Sequence, residues 1–453
     1  MDTVALPLPA ESLFARGRMG AGIGAVALVS LLAFEAMAVA AAMPAIALAL
    51  DGIGLYALAF GGMLATSVLG MAMAGRSCDR HGPLRATAVG LSVFGAGLLV
   101  AGFASAMGWL VAGRVLQGLG GGMLGVALYV GMGQVVPPAL HPRLFALLAA
   151  AWVLPALVGP TLAAMLVEHW GWRAVFLVVA AAVPFAGALL LPAFARLPLP
   201  ARDGQRPRPR GGIGWAALGA GGALMLHAAG KADAAAVMLL ALALGLLAAV
   251  VSAKRLLPVG SLTGAPGLPA VIALRGLLAA SFATAEVFLP LYLTREAGWT
   301  LAQAGLALTA GAVLWSCGSA LQARIGTGRR RERGLQLGFI AVAAGTGVVA
   351  LQMAAGPHAW IAVAGWAVAG FGIGLGFPML SVLTLSLSAP AEQGGNASAL
   401  QLSDALCSSA SLAVAGALFG LVGHGGLVGH ALVFVLASAM ALGGAAMAQR
   451  AFG

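Results

Sequence analysis

Residues 112–122 read AGRVLQGLGGG, and residues 364–374 read AGWAVAGFGIG. Gly113, Gly118, Gly120 and Gly122 of the first stretch recur as Gly365, Gly370, Gly372 and Gly374 of the second, at a constant offset of 365 − 113 = 252 residues. Glycines at these spacings let apolar helices approach closely and pack by van der Waals contact, which is how helices associate inside a membrane. A duplicated helix of this kind implies a molecule of two matching halves, and duplicated membrane bundles place their binding site between the halves. The first copy carries one charge, Arg114, where the second has Trp366.

Composition agrees. Of 453 residues, 61% are hydrophobic and 8% charged, with a mean hydropathy of +1.01. A soluble globule carries about 25% charged residues, so this is an integral membrane protein. Apolar runs of roughly 20 residues match helices crossing a 30 Å hydrocarbon core, not the alternating strands of a membrane barrel. The net charge of +11 suggests a nucleic-acid partner only superficially, because most Lys and Arg lie in short gaps between spans, where they set topology. Cys78, Cys317 and Cys407 show neither ligand spacing nor pairing logic. The seven histidines are scattered, no H-E-x-x-H or nucleotide-binding loop occurs, and no gap holds a soluble domain. An enzyme, a receptor, a resident metal and a cofactor are therefore not expected. The apolar run after Arg16 and Arg18 is longer than the core of a signal peptide and is expected to remain as the first span.

Spans are expected near 19–43, 55–75, 84–106, 109–135, 144–167, 173–194, 212–229, 235–253, 269–293, 300–323, 334–355, 359–387, 396–420 and 427–448. A cytoplasmic N-terminus then places Arg76, Arg80, Arg85, Arg143, the Arg196–Arg210 cluster, Lys254, Arg255, Arg324, Arg329–Arg331, Arg333 and Arg450 inside, against Arg173, Lys231 and Arg295 outside. The positive-inside rule selects this orientation, with both termini cytoplasmic. The expected organisation is a tail (1–18), a six-helix bundle (19–194), a basic linker with two extra helices (195–268), a second six-helix bundle (269–448) and a short tail (449–453). The bundles are related by a pseudo-two-fold axis. A twelve-span arrangement with the inserted pair at the interface keeps the same parity.

The chain resembles the major facilitator superfamily, and specifically its drug/proton antiporters. GRSCDRHGPLR from Gly75 is similar to the family's gating motif G-x-x-x-D-R-x-G-R-R/K: Gly75, Asp79, Arg80 and Gly82 match, Pro83 and Leu84 replace the basic pair, and Arg85 restores one charge. In the family this cluster latches the cytoplasmic side in the outward-open state. GRVLQG resembles the fourth-helix element R-x-x-Q-G, with Arg114 and Gln117 in place. FEAMAVAAAMP is similar to the acidic signature of the first helix, with Glu35 standing for Asp and Ala42, Met43 and Pro44 for the terminal triplet. WVLPALVGPTLAA resembles the antiporter motif G-x-x-x-G-P-x-x-G-G through Gly159 and Pro160, with Pro155 in place of the first Gly. GWRAVF from Gly171 resembles exporters of fourteen spans.

An arginine in a span costs about 2.5–3.5 kcal/mol on insertion scales, so Arg114 either meets a buried acid or snorkels outward. Glu35 lies at a depth that permits the contact. A carboxyl in a bundle holds its proton more tightly than in water and releases it when a guanidinium approaches, which is the chemistry of proton coupling; the alternative for Glu35 is a structural hydrogen bond. Glu286 lies near the repeat position of Glu35, and Asp404 shares a helical face with Gln401 and Ser408. Each of these two acids is open to three roles: binding a cationic substrate, carrying a second proton, or polar glue between helices. Trp152, Phe282, Phe288, Trp315 and Gln117 are further cavity candidates. The resemblance implies a proton-driven, plasma-membrane exporter of hydrophobic or cationic small molecules working by alternating access as a monomer. The alternative is a symporter, or an exporter of sugars, organic acids or lipid-like metabolites.

Overall fold

The computed structural model describes residues 18–137, 140–199, 212–229, 235–325, 329–355, 358–389, 392–422 and 426–452. Most of the N-terminal tail, most of the basic linker and Lys231 lie outside them. Among the described residues there are fourteen α-helices and no strand: α1 (Met19–Ala49), α2 (Tyr56–His81), α3 (Pro83–Gly102), α4 (Met107–Val135), α5 (His141–Trp170), α6 (Arg173–Ala195), α7 (Ile213–Ala229), α8 (Ala235–Leu256), α9 (Leu268–Arg295), α10 (Leu301–Arg324), α11 (Arg329–Ala355), α12 (Ala359–Ser386), α13 (Gln393–Leu421) and α14 (Gly426–Met447). Among the described residues twelve segments are long and apolar enough to cross a membrane. The inserted α7 is a shorter apolar helix of 17 residues.

The repeated glycines build the two halves in the same way. In α4, a side chain at Gly113 or Gly120 would collide with the backbone of α3 at Gly97 and Phe94, and one at Gly118 or Gly122 with the backbone of α2 at Met63 and Ser67. In α12, Gly365 and Gly372 lie against α11 at Gly345 and Gly338, while Gly370 and Gly374 lie against α10 at Gly311 and Trp315. Each repeat helix therefore wedges between two neighbours, α4 between α2 and α3, α12 between α10 and α11. With lipid tails as apolar as leucine, this backbone proximity replaces the hydrophobic force that packs soluble helices.

Prolines inside the helices free carbonyls that must be satisfied within the protein. Pro155 in α5 leaves the Ala151 carbonyl without its helical donor, and Ser30 of α1 donates to it through Oγ at 3.1 Å. Pro378 in α12 does the same to Gly374, whose carbonyl accepts from Ser319 Oγ of α10 at 3.2 Å. Pro44 does not end α1, which runs on to Ala49, five residues beyond the proline. Likewise α2 continues through His81, so the gating sequence occupies its last turns. One residue, Gly82 at φ 75°, makes the turn into α3.

Helices α1–α6 pack among themselves, as do α9–α14. The halves meet along α2 with α13, α5 with α10, and α1 with α9 and α10. The inserted α7 packs on α8 and lies against both α2 and α13, so it covers one of the two seams between the bundles. Helix parity gathers Arg80, Arg85, Arg196, Lys254, Arg255, Arg324 and Arg450 at one end of the molecule, here termed the basic end. Hydrogen bonds that cross between the halves lie away from it: Tyr56 Oη to the Val287 carbonyl (2.8 Å), Ser409 Oγ to the Gly61 carbonyl (2.7 Å) and Thr309 Oγ1 to the Leu157 carbonyl (3.1 Å). Among the described residues these hydrogen bonds tie the bundles toward the end opposite the basic one, while Met71 of α2 and Leu400 of α13 share an apolar cluster with α7 and α8 nearer the basic end.

Replacing Gly118 or Gly370 by Ala drives a methyl into the Met63 or the Gly311 carbonyl oxygen. Overpacking of this sort costs about 1–3 kcal/mol. Both variants are expected to lose monodisperse protein on heating in detergent at a lower temperature than the parent, whereas Gly125→Ala, with open space around it, melts unchanged. Equal melting of all three would refute the wedge.

Candidate functional site

The first half buries an ion pair. Arg114 of α4 donates through Nη1 to Glu35 Oε1 of α1, through the same nitrogen to Gln117 Oε1 at 2.6 Å, and through Nε to the Ala59 carbonyl of α2 at 3.2 Å. The Phe60 ring lies 5.9 Å from the guanidinium carbon. Side-chain exposure is 2% for Arg114 and 1% for Glu35, so the arginine turns inward and does not snorkel. Glu35 lies fourteen residues from the Ala49 end of α1, or about 21 Å along the axis at 1.5 Å per residue. Helix α1 is longer at this end than the sequence suggests, because it does not stop at Pro44. Its Oε2 has no protein partner, leaving one oxygen of the carboxyl uncommitted.

The second half is built differently at the matching place. Glu286 of α9 is partly exposed, and among the described residues no side chain pairs with it. The reason is visible in the repeat: the slot that holds Arg114 in α4 holds Trp366 in α12. Trp366 is buried and stacks on Phe282 of α9, with centroids 4.5 Å apart and planes at 27°. Phe282 also meets Trp315 of α10 edge-on at 5.3 Å, and Trp315 meets Phe377 of α12 at 5.6 Å. Phe282 and Glu286 are one helical turn apart on a shared face. An unpaired carboxylate next to an aromatic cluster is a setting that attracts organic cations, through charge and through the ring quadrupoles.

A second ion pair, which the sequence reading missed, lies in the same half. Arg275 of α9 donates through Nε to both oxygens of Asp404 of α13, at 2.9 and 3.0 Å. Its Nη1 reaches the Phe377 carbonyl and Ser381 Oγ of α12, each at 2.9 Å, and the Phe377 ring centroid lies 3.1 Å from the guanidinium carbon. Arg275 sits in the apolar run VIALRGLLAA, so the insertion-cost argument applied to Arg114 would have found it.

The remaining candidates separate. Gln117 joins the Arg114 pair, and Phe282 and Trp315 join the aromatic cluster, with Phe288 in ring contact with Tyr56 at 5.7 Å. Trp152 is 46% exposed on α5, and Gln401 is exposed on α13. Gly159 lies against Phe34 and Met37 of α1, while the Pro160 carbonyl lies against Gly305 of α10, so this motif sits where α5 meets both halves. Pro155 is buried one turn away. In the gating sequence, Asp79, Arg80 and Arg85 are exposed and Gly75 has open space around it; only Gly82 performs the turn for which glycine is required. Asp79 forms no ion pair with the described residues.

Residues 25–412 match the family model described as Major Facilitator Superfamily. The chain belongs to this superfamily. Among curated relatives, a probable multidrug-efflux transporter of Mycobacterium tuberculosis is 28% identical over 346 residues, covering 69% of each chain. A probable actinorhodin transporter of Streptomyces coelicolor is 30% identical over 389 residues, covering 80% of this chain and 65% of the relative. An MFS-type transporter of the acurin A biosynthesis cluster of Aspergillus aculeatus is 30% identical over 158 residues, 35% of this chain and 28% of the relative. Among solved structures, the POT family transporter PepTSo superposes with a TM-score of 0.71 at 14% identity, covering 95% of this chain and 97% of that one. A related transporter in complex with 5-aminolevulinic acid gives 0.70 at 13% identity, with 97% of both chains covered. These likenesses establish the fold: an all-α, multi-pass membrane transporter.

Removing one partner of a buried pair costs more than removing both, because the survivor is left uncompensated, by about 3–5 kcal/mol. Arg114→Met is therefore expected to melt well below the parent in detergent, and Glu35→Gln/Arg114→Met to regain part of the loss. A double variant no more stable than Arg114→Met would show that the pair does not carry the stability of this site.

Proposed function

We propose that the protein is a proton-coupled exporter of hydrophobic organic cations, in which Glu35 couples the proton and Glu286 receives the cargo. The observation that carries this is the asymmetry of the two acids near matching positions of the repeat: one is matched with an arginine of its own bundle, and the other has no ion-pair partner among the described residues and stands one helical turn from Phe282. In a carrier that trades a proton for a cation such a pair divides the work: one acid holds the proton against an internal counter-ion, and the other is free to meet a cationic cargo.

The positive-inside rule makes the basic end cytoplasmic, which puts both termini in the cytoplasm of a bacterial-type plasma membrane. Among the described residues the hydrogen bonds between the halves then lie toward the outer side, the arrangement expected of an inward-facing state. The free, exposed Asp79 agrees with this, since the gating sequence of the family latches the cytoplasmic side only in the opposite state. The buried Gly159–Pro160 element at the meeting of α1, α5 and α10 supports export over uptake, as do the relatives named for multidrug efflux and for an antibiotic pigment. For a monovalent cation exchanged one for one the membrane potential cancels, and each unit of pH supplies about 1.4 kcal/mol, about tenfold accumulation.

In proteoliposomes, an acidic lumen is expected to drive accumulation of tetraphenylphosphonium, and nigericin to abolish it. Glu286→Gln weakens binding of the probe about tenfold, close to 1.4 kcal/mol. Glu35→Gln lowers gradient-driven accumulation at least tenfold for one pH unit while unlabelled-for-labelled exchange persists. Accumulation only when the outside is acidic would overturn antiport in favour of symport.

A further inference from the structure

The Arg275–Asp404 cluster is built from the same parts as the Arg114–Glu35 cluster. Each has a buried arginine, one carboxylate from a neighbouring helix, a backbone carbonyl, a polar side chain and an aromatic ring: Ala59, Gln117 and Phe60 in the first, Phe377, Ser381 and Phe377 again in the second. The consequence is chemical. If the carboxylate takes a proton and lets go, the guanidinium keeps two hydrogen-bond acceptors and a ring, so its charge is not stranded in the bundle.

The two clusters sit at opposite depths. Arg114 is seven residues from the start of α4, at the end fastened between the halves, and Arg275 is seven residues from the start of α9, at the basic end. Seven residues are about 10 Å of helix. Their access differs accordingly: Glu35 is sealed at 1% side-chain exposure, whereas Asp404 is 22% exposed. Of the charged and titratable groups on the helices around Asp404, Arg275 of α9 is its ion-pair partner and Cys407 stands one turn along α13. No side chain of α2, α7, α8, α12 or α14 among the described residues forms an ion pair with it.

We infer that Arg275–Asp404 is a second proton station, which discharges to the cytoplasm in this conformation, so that one transport cycle moves two protons: one on Glu35 and one on Asp404. This rests on the proton-coupled reading above. In the step itself Asp404 loses a proton to water at the basic end and the resulting carboxylate closes on Arg275 with two N–H···O bonds. Reloading requires the carboxylate to leave Arg275 and accept a proton when the other end is open, while Arg275 stays on the Phe377 carbonyl and Ser381. No other reactant is needed.

The test is static-head accumulation of tetraphenylphosphonium in proteoliposomes at a gradient of one pH unit, with the membrane potential clamped to zero by potassium and valinomycin. Two protons per monovalent cation give about 100-fold accumulation and one gives about tenfold, since each proton contributes the full factor of ten of the pH gradient. The parent is expected near 100-fold and Asp404→Asn near tenfold. Arg275→Gln/Asp404→Asn, which removes both charges and leaves none uncompensated, is also expected near tenfold. Parent and Asp404→Asn at the same accumulation overturn the station. Carbodiimide labelling of the purified parent gives an arm that needs no transport: dicyclohexylcarbodiimide attacks protonated carboxyls, and peptide mass spectrometry should find an Asp404 adduct at acidic pH that disappears at alkaline pH. No adduct at any pH overturns the inference. A parent that labels in this way but moves no tetraphenylphosphonium counts against the cargo reading and leaves the station standing.

Discussion

Inside a bilayer no hydrophobic force draws one helix to another, so this bundle depends on how closely backbones can touch. Eight glycines, four in α4 and four in α12, meet the main chain of their neighbours where any side chain would collide. That contact fixes the spacing of α2, α3 and α4 in one half and of α10, α11 and α12 in the other. Everything functional is then hung on this rigid frame: Arg114 is carried between Gly113 and Gly118, and Trp366 between Gly365 and Gly370. Because their glycine neighbours are held identically, the two side chains are presented at matching places in the two halves.

From one exchange, arginine for tryptophan, the electrostatics of the halves diverge. In the first half the guanidinium consumes the negative charge of the nearby glutamate and closes the site to water. In the second the indole stacks on Phe282 and supplies no charge, and Glu286, near the repeat position of Glu35, has no ion-pair partner among the described residues. A duplicated fold can in this way give its two halves different electrostatics without altering its scaffold. The inserted α7–α8 pair adds a further asymmetry, since among the described residues it packs on the α2–α13 seam and not on the α5–α10 seam.

Much of this was legible before any coordinates. The repeat predicts two halves and the wedge, since glycine spacing in an apolar helix has few other uses. The cost of burying Arg114 predicts a buried acid, and Glu35 is at a workable depth. Helix ends were less legible. Pro44 looks like a stop, yet only one carbonyl loses its donor there and the apolar run resumes. The turns around Arg76–His81 look like a loop because polar residues at the headgroup level resemble one. Arg275 was missed for a related reason: near the start of a span a basic residue passes for topogenic charge, although its guanidinium points into the bundle and meets Asp404 from a helix 129 residues away. Pairings between distant helices follow from packing, and a single sequence does not encode them locally.

The account stands on the claim that Glu286 is available to cargo because position 366 carries no cation. Trp366→Arg tests it directly, with Trp366→Leu as the control for loss of the stacked ring, each assayed by equilibrium binding of tetraphenylphosphonium to folded, monodisperse protein. The account predicts that the arginine variant loses binding at least tenfold relative to the leucine variant, having acquired the counter-ion that the first half possesses. Equal binding by the two variants would contradict it.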